Sequence, residues 1–79
     1  MKKVVNEFPL RLTFLLYKYN TKSETLSKTL GFGVHMISLY AAGKCEPTLS
    51  KLIKIADYFN VSLDWLVGRE NYNERNNED

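Results

Sequence analysis

Side chains that commonly perform acid–base, nucleophilic or metal chemistry are scarce in this sequence. It contains one histidine, His35, and one cysteine, Cys45. No Cys, Asp or Glu is spaced to join His35 in a zinc site or a catalytic pair, because such sites need several ligands or a nucleophile beside a base. No pair of carboxylates and no glycine-rich phosphate loop is recognisable. We therefore expect no enzyme activity, no metal, no cofactor and no small-molecule substrate.

Length and composition predict one intracellular domain. A chain of 79 residues, 44% hydrophobic and 25% charged, needs nearly all its apolar side chains for a single core. A lone cysteine cannot form an internal disulfide, which is typical of the reducing cytosol. No apolar run is long enough for a signal peptide or a membrane span. We therefore expect a cytoplasmic protein with no membrane partner.

The net charge of +2 is unevenly distributed along the chain. Residues 1–68 carry nine Lys or Arg and five Asp or Glu, hence +4, whereas residues 69–79 carry two Arg and four acids, hence −2. A mildly basic folded part permits nucleic-acid binding without requiring it. The sequence predicts an N-terminal arm at 1–7, a domain at 8–68 and a polar, disordered tail at 69–79.

Apolar residues recur at helical spacing in five segments, and each segment has a stop signal. The first opens at Phe8-Pro9, where proline suits the first helical turn. The stop residues, which tolerate a left-handed backbone, are Asn20, Gly31, Gly43, Asn60 and Gly68. No stretch alternates with a period of two for long enough to form a strand. The predicted fold class is all-α.

Three of the helix starts have polar residues suited to capping. Thr21 and Glu24 have the spacing of a capping box for the second helix. Thr48 and Ser62 are suited to cap the fourth and fifth helices, because their hydroxyls can accept backbone N–H groups.

The second and third segments lie close together. The third helix is predicted over about 33–42, after a gap of about three residues around Gly31. Two short helices joined by a tight glycine turn define a helix-turn-helix, whose second helix reads the major groove of DNA. Ile37 and Tyr40 are spaced to face the core, and Tyr40 is more typical of a core residue than of a ligand.

One long motif and several short ones occur together between residues 30 and 68. They are Leu30-Gly31, Ile37-Ser38, Tyr40, Ala42-Gly43-Lys44, Pro47 and the run LIKIADYFNVSLDWLVG at 52–68. With these motifs, residues 8–68 resemble the Cro and phage-repressor family of helix-turn-helix proteins. The resemblance implies a compact five-helix, lambda-repressor-like domain. It also implies binding to double-stranded DNA, usually as a homodimer, and transcription regulation, here as a repressor of phage or mobile-element type.

The resemblance further implies which positions face the bases. In this family the opening residues of the third helix and its seventh residue reach base edges. Here those positions hold Gly33, Val34, His35, Met36 and Leu39. The apolar side chains of Val34, Met36 and Leu39 suit thymine methyl groups, and His35 suits a purine edge. A solvated His35 without a DNA contact is the alternative.

Phosphate contacts are expected from cations and hydroxyls around the third helix. Ser23 occupies the start of the second helix, where the family binds phosphate, and a role only in starting the helix is compatible with the same position. Lys44 follows the glycine that ends the third helix, and a solvated lysine is the alternative. The expected set is Ser23, Lys22, Lys28, Ser38, Lys44 and Arg11.

Two features favour a different function. The third helix lacks the Arg, Asn and Gln side chains that commonly read bases, and exposed Val, Met and Leu are frequent at protein-binding sites. The first helix is apolar on nearly every side, so Phe14 with Tyr17 or Leu10 could contact a second copy or a protein partner. Leu63 and Val67 are alternative dimer residues. The competing hypothesis is a protein-interaction module, antirepressor or antitoxin-like, that no longer reads DNA.

Overall fold

A computed structural model describes residues 7–69, and this part of the chain forms five α-helices and no strand. They are α1 (Phe8–Lys18), α2 (Ser23–Leu30), α3 (Met36–Ala41), α4 (Leu49–Phe59) and α5 (Leu63–Leu66). The predicted all-α, five-helix fold is confirmed. Except for Glu7 and Arg69, the predicted arm and tail lie outside the described residues.

All of these helices end in the same way. A left-handed residue with φ between 51° and 93° follows each of them, at Asn20, Gly31, Gly43, Asn60 and Gly68. The N–H of the next residue then donates to a carbonyl five residues earlier, as from Phe32 to Ser27 at 2.8 Å. This Schellman arrangement satisfies carbonyls that a helix end leaves without partners. The five predicted stop residues are confirmed.

The starts of α4 and α5 also agree with the prediction. The Thr48 hydroxyl accepts the Lys51 N–H at 3.3 Å. The Ser62 hydroxyl accepts the Trp65 N–H at 3.0 Å. Each cap satisfies one of the N–H groups that the first turn leaves without an intrahelical partner.

The predicted capping box of α2 is wrong. The helix begins at Ser23, and the preceding residue, Lys22, makes no side-chain capping bond. The Thr21 hydroxyl instead donates to the Tyr19 carbonyl at 3.2 Å. The Thr21 hydroxyl is therefore bonded within the left-handed turn at Asn20. The N-cap position of α2 is Lys22, one residue later than predicted.

The start of α3 is later than predicted. The helix begins at Met36 instead of about residue 33, so residues 31–35 connect it to α2. The Met36 N–H donates to the Gly33 carbonyl at 3.0 Å, which closes a turn before the helix. Glycine and the β-branched Val34 are weak helix formers, which favours a turn at this point.

Side chains from all five helices form one hydrophobic core. α1 packs against α3 and α5, α2 packs against α3, and α4 packs against α5. Tyr40 is 1% exposed, as its spacing predicted, and its ring lies 6.1 Å from that of Phe8. The buried apolar residues are Phe8, Leu12, Leu15, Leu26, Ile37, Tyr40, Ile55, Ala56, Phe59 and Leu66.

Arg11 is a charged residue within this core. Its side chain is 3% exposed. The guanidinium donates to the Glu7 carboxylate at 2.9 and 3.1 Å and to the Trp65 carbonyl at 2.9 Å. It also lies 4.8 Å from the centre of the Trp65 ring, a cation–π distance. The expectation that Arg11 contacts phosphate is therefore corrected, because the side chain is buried and joins α1 to α5.

Candidate nucleic-acid interface

The side of α3 that points away from the core presents a small set of side chains. Val34 and His35 in the preceding turn and Ser38 within the helix are exposed, Val34 at 44%. Ser38 lies four residues after Val34 and three after His35, the spacings at which side chains on a helix are neighbours. Met36 and Leu39 are half-buried, and Met36 packs against the core. Of the side chains predicted to contact bases, Val34 and His35 are thus exposed and Met36 and Leu39 are half-buried, while Ser38 was predicted to contact phosphate.

The inward side of α3 fixes which residues point outward. Ile37 and Tyr40 are buried, and the Tyr40 ring lies between those of Phe8 and Phe32, at 6.1 and 6.4 Å. Because both residues lie on the same side of α3, the helix cannot rotate about its axis without removing these side chains from the core. The outward direction of His35 and Ser38 therefore follows from core packing.

A buried serine on α2 holds the start of α3. Ser27 is fully buried, and its hydroxyl accepts the Ile37 N–H at 3.1 Å. His35, which directly precedes α3, makes no side-chain capping bond. Ser27 thus supplies, from another helix, the bond that a local cap normally supplies. The sequence interpretation did not single out Ser27, although it lies beside Leu26 on the inward side of α2, where a polar side chain needs a partner.

Two predicted phosphate ligands lie at the first residues of α2. Lys22 is exposed and directly precedes the helix, and Ser23 is its half-buried first residue. No side chain caps α2. The first N–H groups of a helix attract anions, and a lysine beside them adds a positive charge.

The other two lysines of the predicted set differ in position. Lys44 is exposed directly after the left-handed Gly43, and its N–H donates to the Leu39 carbonyl at 2.9 Å. This bond fixes Lys44 beside the end of α3. Lys28 is exposed but lies about 140° around α2 from Ser23, at 100° per residue. The structure therefore does not place Lys28 and Ser23 on one face.

No group of His, Cys, Asp and Glu side chains within residues 7–69 could hold a metal ion. Cys45 is half-buried in the segment after α3. No helix in the described part is long and apolar enough to cross a membrane.

Comparison with known proteins identifies the family. The sequence profile of the helix-turn-helix family matches residues 15–66, from within α1 to the last residue of α5. This chain belongs to the helix-turn-helix family of the Cro and phage-repressor type. The resemblance read from the sequence is thereby confirmed.

Two similar proteins are transcriptional regulators by description. An HTH-type transcriptional regulator of Haemophilus influenzae is 34% identical over 74 residues, which make up 94% of this chain but 30% of that protein. The chain thus spans less than a third of the length of this relative. The crystal structure of a transcriptional regulator from Listeria innocua matches with a TM-score of 0.77 and 28% identity, over 92% of this chain and 70% of that one.

Proposed function

We propose that this chain binds specific sequences of double-stranded DNA through α3 and regulates transcription. The observation that carries the proposal is the outward side of α3, which no other described residue covers at Val34, His35 and Ser38. The major groove is wide enough to admit an α-helix. The family, and the two relatives described as transcriptional regulators, support the same function.

The roles of individual side chains follow from their exposure. His35 is the side chain suited to hydrogen-bond a purine edge, and Val34 is suited to contact a thymine methyl group. The half-buried Met36 and Leu39 can offer only the edges of their side chains to the bases.

Phosphate binding is assigned to the residues at both ends of the helix pair. Lys22 and Ser23 lie at the start of α2, Lys44 follows α3, and Ser38 is exposed on α3. Lys28 is assigned to general attraction of DNA, because it lies on another side of α2.

We propose that the protein is cytoplasmic, forms a homodimer and acts as a repressor of phage or mobile-element type. Two copies would present their α3 helices about 34 Å apart, one turn of DNA. Leu63 and Val67, half-buried at the two ends of α5, are the dimer contacts that we favour. A repressor of this kind acts by occupying an operator and excluding RNA polymerase.

The alternative of a module that binds only proteins keeps support from α1 and loses part of its support from α3. On α3 that hypothesis rested on exposed Val34, Met36 and Leu39, but two of these side chains are half-buried. On α1 it rested on an apolar surface that remains exposed at Leu10 and Tyr17. The apolar area left on the outward side of α3 is mainly that of Val34, which is smaller than a typical protein-binding patch.

The salt dependence of DNA affinity tests the proposal. The logarithm of the association constant should fall by roughly 0.9 per logarithmic unit of salt for each phosphate neutralised. Selection of bound fragments from random DNA would give the preferred sequence. A weak affinity that hardly changes with salt, and no enriched sequence, would overturn the proposal.

Two substitutions separate base reading from phosphate binding. His35→Ala should blur the selected sequence, whereas Lys44→Ala should weaken all sequences alike and reduce the salt slope by about one. Lys54→Ala, an exposed lysine on α4, is the matched control and should change neither quantity. An unchanged sequence preference in His35→Ala would remove His35 from the base-reading set.

A further inference from the structure

The outward face of α1 is an apolar surface that DNA binding does not use. Leu10, Phe14 and Tyr17 follow one another at i, i+4 and i+7, the spacing of one helix face. They are 65%, 39% and 88% exposed. Phe14 also packs against α5, with its ring centre 6.1 Å from that of Trp65. We call these three residues the α1 stripe.

The α1 stripe points away from α3. At 100° per residue, its centre lies about 140° around α1 from the buried residues Phe8, Arg11, Leu12 and Leu15. The buried side of α1 is the side that meets α3, because Phe8 contacts Tyr40 there. A partner on the α1 stripe would therefore leave the outward side of α3 open to DNA.

A positive charge lies beside the α1 stripe. α1 contains no carboxylate, and the adjacent Glu7 is engaged by Arg11 at 2.9 Å. The Lys18 ammonium lies 5.8 Å from the centre of the Phe14 ring. Tyr17 lines an open depression of about 660 Å³ together with Lys22 and Ser23. Because those two residues are assigned to phosphate, Lys18 is the cation that we assign to a partner. A ligand that fits this surface combines apolar side chains with carboxylates.

A second copy of the chain fits the α1 stripe poorly. The three side chains expose roughly 400 Å², whereas each partner in a stable interface buries about 800 Å², so the α1 stripe suits a weak, transient contact better than a permanent dimer. Two copies joined here would bring the Lys18 ammonium groups of both into one interface, where they would repel each other. They would also turn their two α3 helices away from each other, so one duplex could not bind both.

We propose that the α1 stripe docks an acidic amphipathic helix of another protein while α3 remains available to DNA. Helices of this kind bind apolar surfaces through side chains at i, i+4 and i+7. A carboxylate beside those positions would pair with Lys18, which is not among the residues assigned to DNA. Pairs at such a rim mainly select the partner and speed association.

A designed peptide tests this surface directly. The probe is a peptide of about 18 residues, long enough to form a helix, with Leu at i, i+4 and i+7 and Glu beside them. A second peptide carries Lys in place of every Glu. Fluorescence anisotropy gives the two dissociation constants. Amide chemical shifts of the full chain identify the residues that the peptide contacts.

The Glu peptide should bind with a dissociation constant on the order of 10 µM and the Lys peptide at least about tenfold more weakly. The double substitution Leu10→Ser with Tyr17→Ser should weaken the Glu peptide at least about tenfold, because both apolar anchors are lost. Leu49→Ser removes a leucine that is 64% exposed on α4 and serves as the matched control, with no change expected. DNA affinity of the double variant should equal that of the parent chain.

Three results would overturn the proposal. One is equal affinity for the Glu and Lys peptides. Another is peptide binding that survives the double substitution. The third is a dimer that the double substitution dissociates in sedimentation, which would assign the α1 stripe to a second copy. Failure of the parent chain to bind DNA would remove the proposed function and leave the peptide result standing, so the two outcomes are distinguishable.

Discussion

α3 and α5 are both short helices, yet their first turns are stabilised from different places in the sequence. In each helix a serine hydroxyl accepts a first-turn N–H, at 3.1 Å for α3 and 3.0 Å for α5. The serine of α5 is Ser62, which directly precedes the helix. The serine of α3 is Ser27, which lies on α2, ten residues before its partner Ile37. The start of α5 is therefore a local property, whereas the start of α3 exists only when α2 and α3 are packed together.

The same contrast extends to how the two helices are attached to the rest of the fold. α5 starts locally but is joined to α1 through the Arg11 guanidinium, which donates to the Trp65 carbonyl. α3 is joined to α2 through Ser27 and to α1 through the Phe8–Tyr40 ring contact. Substitutions at these contacts should therefore differ in how much they lower the free energy of unfolding and in whether they disturb the candidate interface.

The largest effect is expected at the joint of α1 and α5. Arg11→Ala should lower the free energy of unfolding by about 3 kcal/mol, because it leaves a cavity and removes a buried charge from its partners. Urea unfolding at low temperature measures the loss. Lys18→Ala on the exposed side of α1 is the control and should change the free energy of unfolding by no more than about 0.5 kcal/mol. An equally small loss in Arg11→Ala would show that the guanidinium does not hold α5.

A smaller but more specific effect is expected at the joint of α2 and α3. Ser27→Ala should cost about 2 kcal/mol, because it leaves the buried Ile37 N–H without its acceptor. Faster hydrogen exchange at the Ile37 amide should accompany the loss of stability, and DNA affinity should fall at temperatures where the variant is still folded.

Thr29→Ala is the matched control for Ser27→Ala. Thr29 is exposed on the same helix, and its hydroxyl bonds only within α2 as far as the described contacts show, to the Thr25 carbonyl. Thr29→Ala should lower the free energy of unfolding by no more than about 0.5 kcal/mol. If Ser27→Ala lowers stability without changing hydrogen exchange at the Ile37 amide, the start of α3 does not depend on the Ser27 hydroxyl.

The smallest effects distinguish a real cap from a wrongly predicted one. Ser62→Ala should cost about 1 kcal/mol, as removal of an N-cap hydroxyl usually does. Thr21→Ala should cost no more than about 0.5 kcal/mol, because the Thr21 hydroxyl does not cap α2. Thermal unfolding of the two variants side by side gives the comparison. A loss in Thr21→Ala as large as that in Ser62→Ala would restore the capping box.

Local signals explain which parts of the fold were predictable. The left-handed residues that end the helices act within six residues of chain, so Asn20 and Asn60 could be recognised as readily as the three glycines. The caps at Thr48 and Ser62 are equally local. The predicted start of α3 was about three residues early for two reasons. The weak helix formers Gly33 and Val34 favour a turn, and the capping bond comes from Ser27 on another helix, which the sequence near residue 36 does not reveal.

The candidate site was predictable only in part. Exposure of Val34, His35 and Ser38 follows from a helix whose other side carries Ile37 and Tyr40. Arg11 was assigned to phosphate because of its charge, although it falls among the buried positions 8, 11, 12 and 15 of α1. Helical spacing was the better guide there, since long charged side chains can be buried when they are paired.

The bond from Ser27 to Ile37 has a consequence for how operator preference can change over time. It uses a backbone amide, and the packing of α3 uses Ile37 and Tyr40, so neither depends on what residues 34, 35 and 38 are. Descendants of this sequence can therefore exchange those three side chains while the helix stays in place. The preferred DNA sequence can therefore change without loss of the fold that holds α3.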